Sequence, residues 1–268
     1  MHDGFSGILN LTIGCGSLLL GVLSIILYFT GVFRSRRKVR LRHWPTWRAF
    51  SWCAGTFLAV LTLSVPFMEA AHHDFRLHMA GHLLLGMAAP LLLALGAPVT
   101  LLLRTLDTSR ARKAAGWLKK PIFSFYRHPV TASVLNIGGL WVLYATPLFH
   151  AMHSHPIVYL IVHAHVFLAG YLFTVSMIYI DPAPVRHSPL FRTAVFIPAL
   201  AAHGILSKYI YAYPPVGVPA DQARQGAMLM YYGGDLIDLV LIILLFRSWY
   251  KQTGTRTKRF IEKKPAPS

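Results

Sequence analysis

The stretch 78–103 reads HMAGHLLLGMAAPLLLALGAPVTLLL and contains no Asp, Glu, Lys or Arg in 26 residues. A run of about 20 apolar residues is long enough for an α-helix to cross the hydrocarbon core of a bilayer. His78 and His82 stand at one end of the run, four residues apart, so they share a helix face. The stretch therefore predicts a membrane-spanning helix with two histidines on one face at its N-terminal end.

Six further apolar runs are present, and the sequence predicts an all-α integral membrane protein built as a seven-transmembrane helix bundle. Charged residues make up only 13% of the chain, about half the share in soluble domains. The first run is too long for a signal-peptide core and is followed by arginines, which predicts a retained helix. The seven predicted helices lie at about 6–33, 48–68, 78–103, 130–149, 156–180, 190–211 and 226–246. Together they form one domain, residues 1–250, followed by a basic tail, 251–268, predicted to be cytoplasmic and disordered.

The basic residues are distributed unevenly along the chain. Of the 26 Lys and Arg, 23 fall in the loops 34–48, 104–127 and 181–192 and in the tail 247–264. The positive-inside rule then places the C-terminus in the cytoplasm and the N-terminus outside. The net charge of +17 is explained by attraction to anionic lipid, so the expected partner is the lipid bilayer and no nucleic acid.

Motifs for catalysis and for thiol chemistry are missing from the sequence. The two cysteines form no CxxC, which gives no support for a thiol metal or redox site. The chain has no GxSxG, P-loop or HExxH motif of the kind that hydrolases, nucleotide-binding enzymes and zinc proteases use. We therefore expect that the protein is not an enzyme.

The histidines gather at one end of the predicted bundle. Eleven of the fourteen fall outside or within the membrane, and three predicted helices bring imidazoles to similar depth. His163 and His165 are two residues apart and point to opposite faces, and we favour His163 as the one facing the others. A polar residue at this depth either forms a hydrogen bond to a neighbouring helix or belongs to a functional site. The candidate metal ligands are His78, His82, His163 and His203.

Other residues near these histidines are accessory candidates. Imidazole suits copper, zinc, iron and nickel, and a thioether favours Cu(I), so a neighbouring methionine favours copper. An aspartate in the last apolar run could support a ligand histidine or bond a neighbouring helix, and both interpretations stay open. The accessory candidates are His72, His73, Met79, His153, His155 and Asp235.

Several segments resemble one known family in the expected order. The segment 78–104 has an HMxxH pair, an apolar stretch, Pro-Leu-Leu, Leu-Gly-x-Pro and a closing Arg, and it resembles the signature of the CtaG family of cytochrome c oxidase assembly factors. YATPLFHAMHSHPIVYLIVHAHVFLAGYLF at 144–173 resembles the family's fourth and fifth helices. DPAP and Arg186, AAHGI at 201–205 and DQARQGAMLMYYGGD at 221–235 also fit. Tyr231 departs from the pattern, since many members have Trp there.

The resemblance, which covers roughly residues 40–250, implies a seven-helix protein of the bacterial plasma membrane. It implies a role in building a haem-copper cytochrome c oxidase, with copper as the metal delivered. The implied partners are the cytochrome c oxidase subunits and a copper donor protein. Carried over by motif, the implied ligand positions are again His78, His82, His163 and His203.

Two other functions remain open from the sequence. A b-type haem protein could ligate haem through histidines on different helices, such as His82 and His163. A copper transport or resistance protein would need a polar path across the whole bilayer, whereas the inner halves of the predicted helices are mostly apolar.

Overall fold

The computed structural model describes residues 2–38, 41–183 and 185–262. The ordered elements in these ranges are helices, and no β-strand occurs in them, which confirms the predicted all-α class. Fourteen α-helices are present in these ranges. They are α1 His2–Arg36, α2 Thr46–Thr62, α3 Val65–His73, α4 Phe75–Leu83, α5 Ala89–Leu95, α6 Pro98–Thr105, α7 Thr108–Leu118, α8 Pro121–Tyr126, α9 Pro129–Ser133, α10 Gly139–Ala145, α11 Leu148–Ser154, α12 Pro156–Met177, α13 Pro189–Ala212 and α14 Ala220–Glu262.

Five segments of the described chain are long and apolar enough to cross a membrane without a sharp bend. The count rises to seven if each of two bent pairs is a single span. The structure therefore supports five to seven of the predicted spans. The five are Asn10–Arg36, Phe75–Thr105, Pro156–Met177, Pro189–Ala212 and Ala220–Lys251.

The two bent pairs replace the predicted straight helices at 48–68 and 130–149. α2 and α3 meet at 56°, and α9–α10 and α11 meet at 79°. Pro66 lies in the first turn of α3 and Pro147 immediately precedes α11. Proline lacks an N–H and disfavours helix in the residue before it, so a bend at these positions is expected.

The span Phe75–Thr105 carries two further irregularities. A π-helical segment, Leu84–Ala88, joins α4 to α5 just before Pro90. Pro90 has no N–H to donate to the carbonyl of Gly86. α12 approaches this carbonyl so closely that a Cβ on Gly170 would overlap its oxygen. At the other end, Ala97 takes a left-handed conformation with φ 52° between α5 and α6.

A second π-helical segment, Val134–Gly138, joins α9 to α10. His165 on α12 donates from Nε2 to the carbonyl of Leu135, at 3.0 Å. A side chain at Gly139 would occupy the position of the His165 ring. Nε2 of His165 is thus occupied by a hydrogen bond to the backbone of a neighbouring helix.

The helices enclose apolar clusters at successive levels of the bundle. α4 packs on α14, which packs on α13, while α5 packs on α2 and α12. One cluster surrounds Met79 and Met230 near the histidines, and a second contains Phe173, Phe196 and Leu241 further along the same helices. These clusters position the polar side chains described below.

The last helix is longer than its predicted range, 226–246. α14 begins at Ala220 and continues to Glu262, so helix extends into the segment predicted as a disordered tail. The rest of that tail, 263–268, lies outside the described residues. The apolar candidate span within α14 ends at Lys251.

Candidate metal site

One end of the bundle, which we call the histidine end, is defined by His78, His82, His153, His163 and His203. The i, i+4 spacing on α4 places His78 and His82 on one face. Both are only 8% exposed, and His203 on α13 is 4% exposed. Polar side chains this deeply buried among helices require partners or a function.

His78 lies at the centre of a group of rings. Its Nε2 is 3.0 Å from the hydroxyl of Tyr144 on α10. Its ring centroid is 5.8 Å from that of His153 and 6.5 Å from that of His163. The side chains of α4, α10, α11 and α12 therefore meet at His78.

The hydrogen bonds of His153 and His163 fix which ring nitrogen is free. In each, Nδ1 lies 2.9 Å from the carbonyl oxygen four residues earlier, of Phe149 and Tyr159 respectively. A carbonyl only accepts hydrogen bonds, so Nδ1 carries the proton. In the neutral ring, Nε2 then carries the lone pair that a metal ion requires.

His82 and His203 form a second pair, with ring centroids 6.2 Å apart. Both ring nitrogens of His82 and Nε2 of His203 are buried without a hydrogen-bond partner. Two glycines leave room for these rings. A Cβ on Gly234 would clash with the His203 ring, and a Cβ on Gly86 would lie 3.4 Å from Nδ1 of His82.

Tyr144 stands between the two pairs. Its ring centroid is 6.1 Å from that of His78 and 6.4 Å from that of His82. Sequence reasoning did not single out this tyrosine, because its partners on α4 are more than 60 positions away. Tyr159, which stacks on His163 at 3.9 Å, could have been found from its i, i+4 spacing.

The structure distributes the four candidate ligands over two neighbouring pairs. His78 faces His163 and His82 faces His203. In the described part of the chain, no group of three or more His, Cys, Asp or Glu is arranged to hold a metal ion. A metal ion would therefore have two histidine ligands at each of the two pairs.

The histidine accessory candidates lie at different distances from the pairs. His72 lies 5.0 Å from His153 and 5.6 Å from His73 between ring centroids. His155 is exposed at the start of α12. The histidine end thus extends toward the surface through His72 and His153.

The other two accessory candidates, Met79 and Asp235, do not line the cavity that contains His78 and His82. Met79 is fully buried within an apolar cluster. Asp235 is exposed on α14, although it is close enough for its charge to act on His203. The methionines that line one cavity together with His78 and His82 are Met68 and Met152.

Two adjoining cavities connect the histidines to the surface. The lining of the inner cavity includes His78, His82 and His163. The lining of the outer cavity includes His73 and His150. His72, His78 and His153 line both. A small cation could therefore meet imidazole at each step from the surface to His82.

Comparison with known proteins places the chain in a family. The sequence profile described as "Cytochrome c oxidase caa3 assembly factor (Caa3_CtaG)" matches residues 26–252. An uncharacterised protein of Mycobacterium leprae is 31% identical over 87% of this chain, and one of Mycobacterium bovis is 30% identical over 87%. The chain spans about two fifths of the length of these relatives, 39% and 38%. No solved structure matches. The match over most of the chain confirms the resemblance drawn from the motifs, and the chain belongs to the CtaG family of cytochrome c oxidase assembly factors.

Proposed function

We propose that the protein binds copper at the histidine end and helps deliver it to a haem-copper cytochrome c oxidase in the bacterial plasma membrane. In this proposal copper is cargo, held briefly and passed on, and the protein has no catalytic activity of its own. The partners are the oxidase subunits, which receive the ion, and a protein that donates it.

The pair His82 and His203 is the observation that carries this proposal. Leaving a buried polar atom unpaired costs about 1–3 kcal/mol, and three such ring nitrogens occur here. Imidazole nitrogen is a good copper ligand, and Cu(I) accepts as few as two ligands. The residues present therefore fit the ion that the family implies.

The neighbouring residues suit transfer of an ion between ligands. His153 and His163 each present Nε2 because Nδ1 is bound to the backbone. His72 continues the series toward the surface, and the thioethers of Met68 and Met152 line the inner cavity. A series of weak sites allows an ion to move by exchange of one ligand at a time.

The position of the histidines favours delivery over transport across the membrane. They gather at one end of the span Phe75–Thr105. Beyond them the structure has an apolar cluster that includes Leu91, Phe173 and Leu241, and Asp238 on α14 is a buried carboxylate next to it in sequence. Uptake and release from the same end of the bundle agree with this distribution.

A cellular experiment tests the proposal. Cells that lack the gene should assemble little active oxidase at limiting copper while still making its subunits, and the parent gene should restore assembly. The His82→Leu/His203→Leu variant should fail to restore it, whereas His165→Ala, which alters a histidine bound to the backbone, should succeed. Full restoration by the double variant would contradict the proposal.

A further inference from the structure

The end of the bundle opposite the histidines contains a groove of mixed character. It lies between the C-terminal end of α1, α6 and the beginning of α7. Its walls include Leu41, Leu103 and Ala111, and Lys38 and Arg104 supply its charge. We call this feature the basic groove.

Among the residues that the structure describes, neither Lys38 nor Arg104 forms an ion pair with an acidic side chain. The ion pair nearest the groove is Arg110–Asp107, which involves neither Lys38 nor Arg104. Lys38 donates to the carbonyl of Leu106 at 2.7 Å. The guanidinium of Arg104 donates to the carbonyl of Arg42. Backbone carbonyls thus fill part of the donor capacity without balancing the charge.

A second arginine adds to the positive charge beside Arg104. The guanidinium carbons of Arg48 and Arg104 lie 4.9 and 5.1 Å from the ring of Trp44. The Nε atoms of both arginines are buried without a hydrogen-bond partner. Two like charges with unfilled donors beside one indole are an arrangement that an anion would stabilise.

Two carboxylates of the described residues lie beside the groove, Asp107 next to Arg110 and Asp181 next to the first residues of α6. Asp181 accepts from the backbone N–H of Val99 at 3.1 Å and of Thr100 at 2.7 Å, and it also accepts from the Thr100 hydroxyl. These bonds cap the N-terminus of α6, where backbone donors would otherwise be unpaired. Asp181 is thus held at the α6 backbone.

We propose that the basic groove binds an anionic phospholipid. Lys38 and Arg104 would face the phosphate, since guanidinium and ammonium groups are the usual phosphate ligands in proteins. The apolar wall formed by Leu41, Leu103 and Ala111 would receive the first part of an acyl chain. Basic pockets at this level of a helix bundle are known to hold anionic headgroups. Inorganic phosphate offers the same charge but no chain to fill the groove.

Native mass spectrometry of the full chain in neutral detergent tests this proposal. Phosphatidylglycerol should be retained in preference to phosphatidylcholine with the same acyl chains, and an excess of inorganic phosphate should not displace it. Lys38→Gln should weaken retention about fivefold, the effect of one cation near an anionic headgroup. Ala111→Trp should block the groove while leaving every cation in place.

The matched control is Arg110→Gln. Arg110 lies on α7 near the groove, and its side chain is 76% exposed and faces Asp107. This variant should retain phosphatidylglycerol as the parent does. Circular dichroism should show parental helix content for each variant, and Lys38→Gln and Ala111→Trp are chosen because neither removes a buried arginine. Equal retention by folded Ala111→Trp and the parent, or displacement of the lipid by inorganic phosphate, would overturn the proposal.

Discussion

The hydroxyl of Tyr144 lies 3.0 Å from Nε2 of His78, and this bond joins α10 to α4 at the centre of the histidine end. The tyrosine ring also contacts His82. Tyr144 therefore holds His78 in place and separates the pair His78–His163 from the pair His82–His203.

Replacing Tyr144 with Phe should lower the free energy of unfolding by about 1–3 kcal/mol, because Nε2 of His78 is left buried without a partner. Copper binding should persist, since the candidate ligands remain. Thermal unfolding in detergent and a copper titration measure the two effects. Tyr159→Phe, which keeps its ring on His163, is the control and should change stability less. Equal unfolding temperatures for Tyr144→Phe and the parent would contradict the structural role of the bond.

Replacing Gly170 with Ala should destabilise the bundle, because the added Cβ would overlap the carbonyl oxygen of Gly86. Overpacking of this kind costs about 1–3 kcal/mol. Gly116→Ala on α7 is the matched control, since nothing lies within 4 Å of its Cβ position and alanine favours helix by about 1 kcal/mol. The intrinsic tryptophan fluorescence reports unfolding of both variants. A Gly170→Ala protein as stable as the parent would show that α12 can move away from the π-helical segment.

Replacing His165 with Ala should reduce stability by about 1 kcal/mol through the lost bond to the carbonyl of Leu135. The copper content should not change, because His165 is exposed and committed to the backbone. Metal analysis beside thermal unfolding separates the two effects. A loss of copper from this variant would mean that His165 is a copper ligand. That result would contradict the assignment of copper binding to the two histidine pairs.

Low pH should destabilise the N-terminal end of α4, where Asp74 caps the helix. The Arg76 side chain and the α4 backbone hold the pKa of Asp74 below its ordinary value. A group whose pKa is depressed by folding stabilises the protein above its ordinary pKa, near 3.8, and this contribution is lost as the pH falls through the folded-state value. The unfolding temperature of the parent should therefore fall more than that of Asp74→Asn between pH 6 and pH 3. Parallel curves would contradict the role of Asp74. The effect should be modest because the pair is exposed.

The length of the apolar runs predicted a helical membrane protein. The order of the motifs along the chain predicted the family. Helical periodicity predicted that His163 and His165 lie on opposite faces of one helix, and in the structure His163 lies near His78 while His165 is bonded to the carbonyl of Leu135. Both inferences depend on local spacing, which a sequence displays directly.

Features that depend on distant contacts were not predictable in this way. The bend at Pro147 and the π-helical segment before Pro90 interrupt runs whose composition is uniformly apolar. Tyr144 was missed because its bond joins residues on separate helices. The division of four histidines into two pairs likewise depends on how α12 and α13 pack on α4, which spacing along one helix does not specify.

Copper analysis of purified protein tests the central claim most directly. The parent, loaded with Cu(I) and freed of excess, should retain copper, and the His82→Leu/His203→Leu variant should lose at least most of it. Because three of the four replaced ring nitrogens are buried without a hydrogen-bond partner, the variant should unfold at the temperature of the copper-free parent or above. Loss of copper without loss of stability would agree with a metal-binding pair. Equal copper in the parent and the folded double variant would contradict the account.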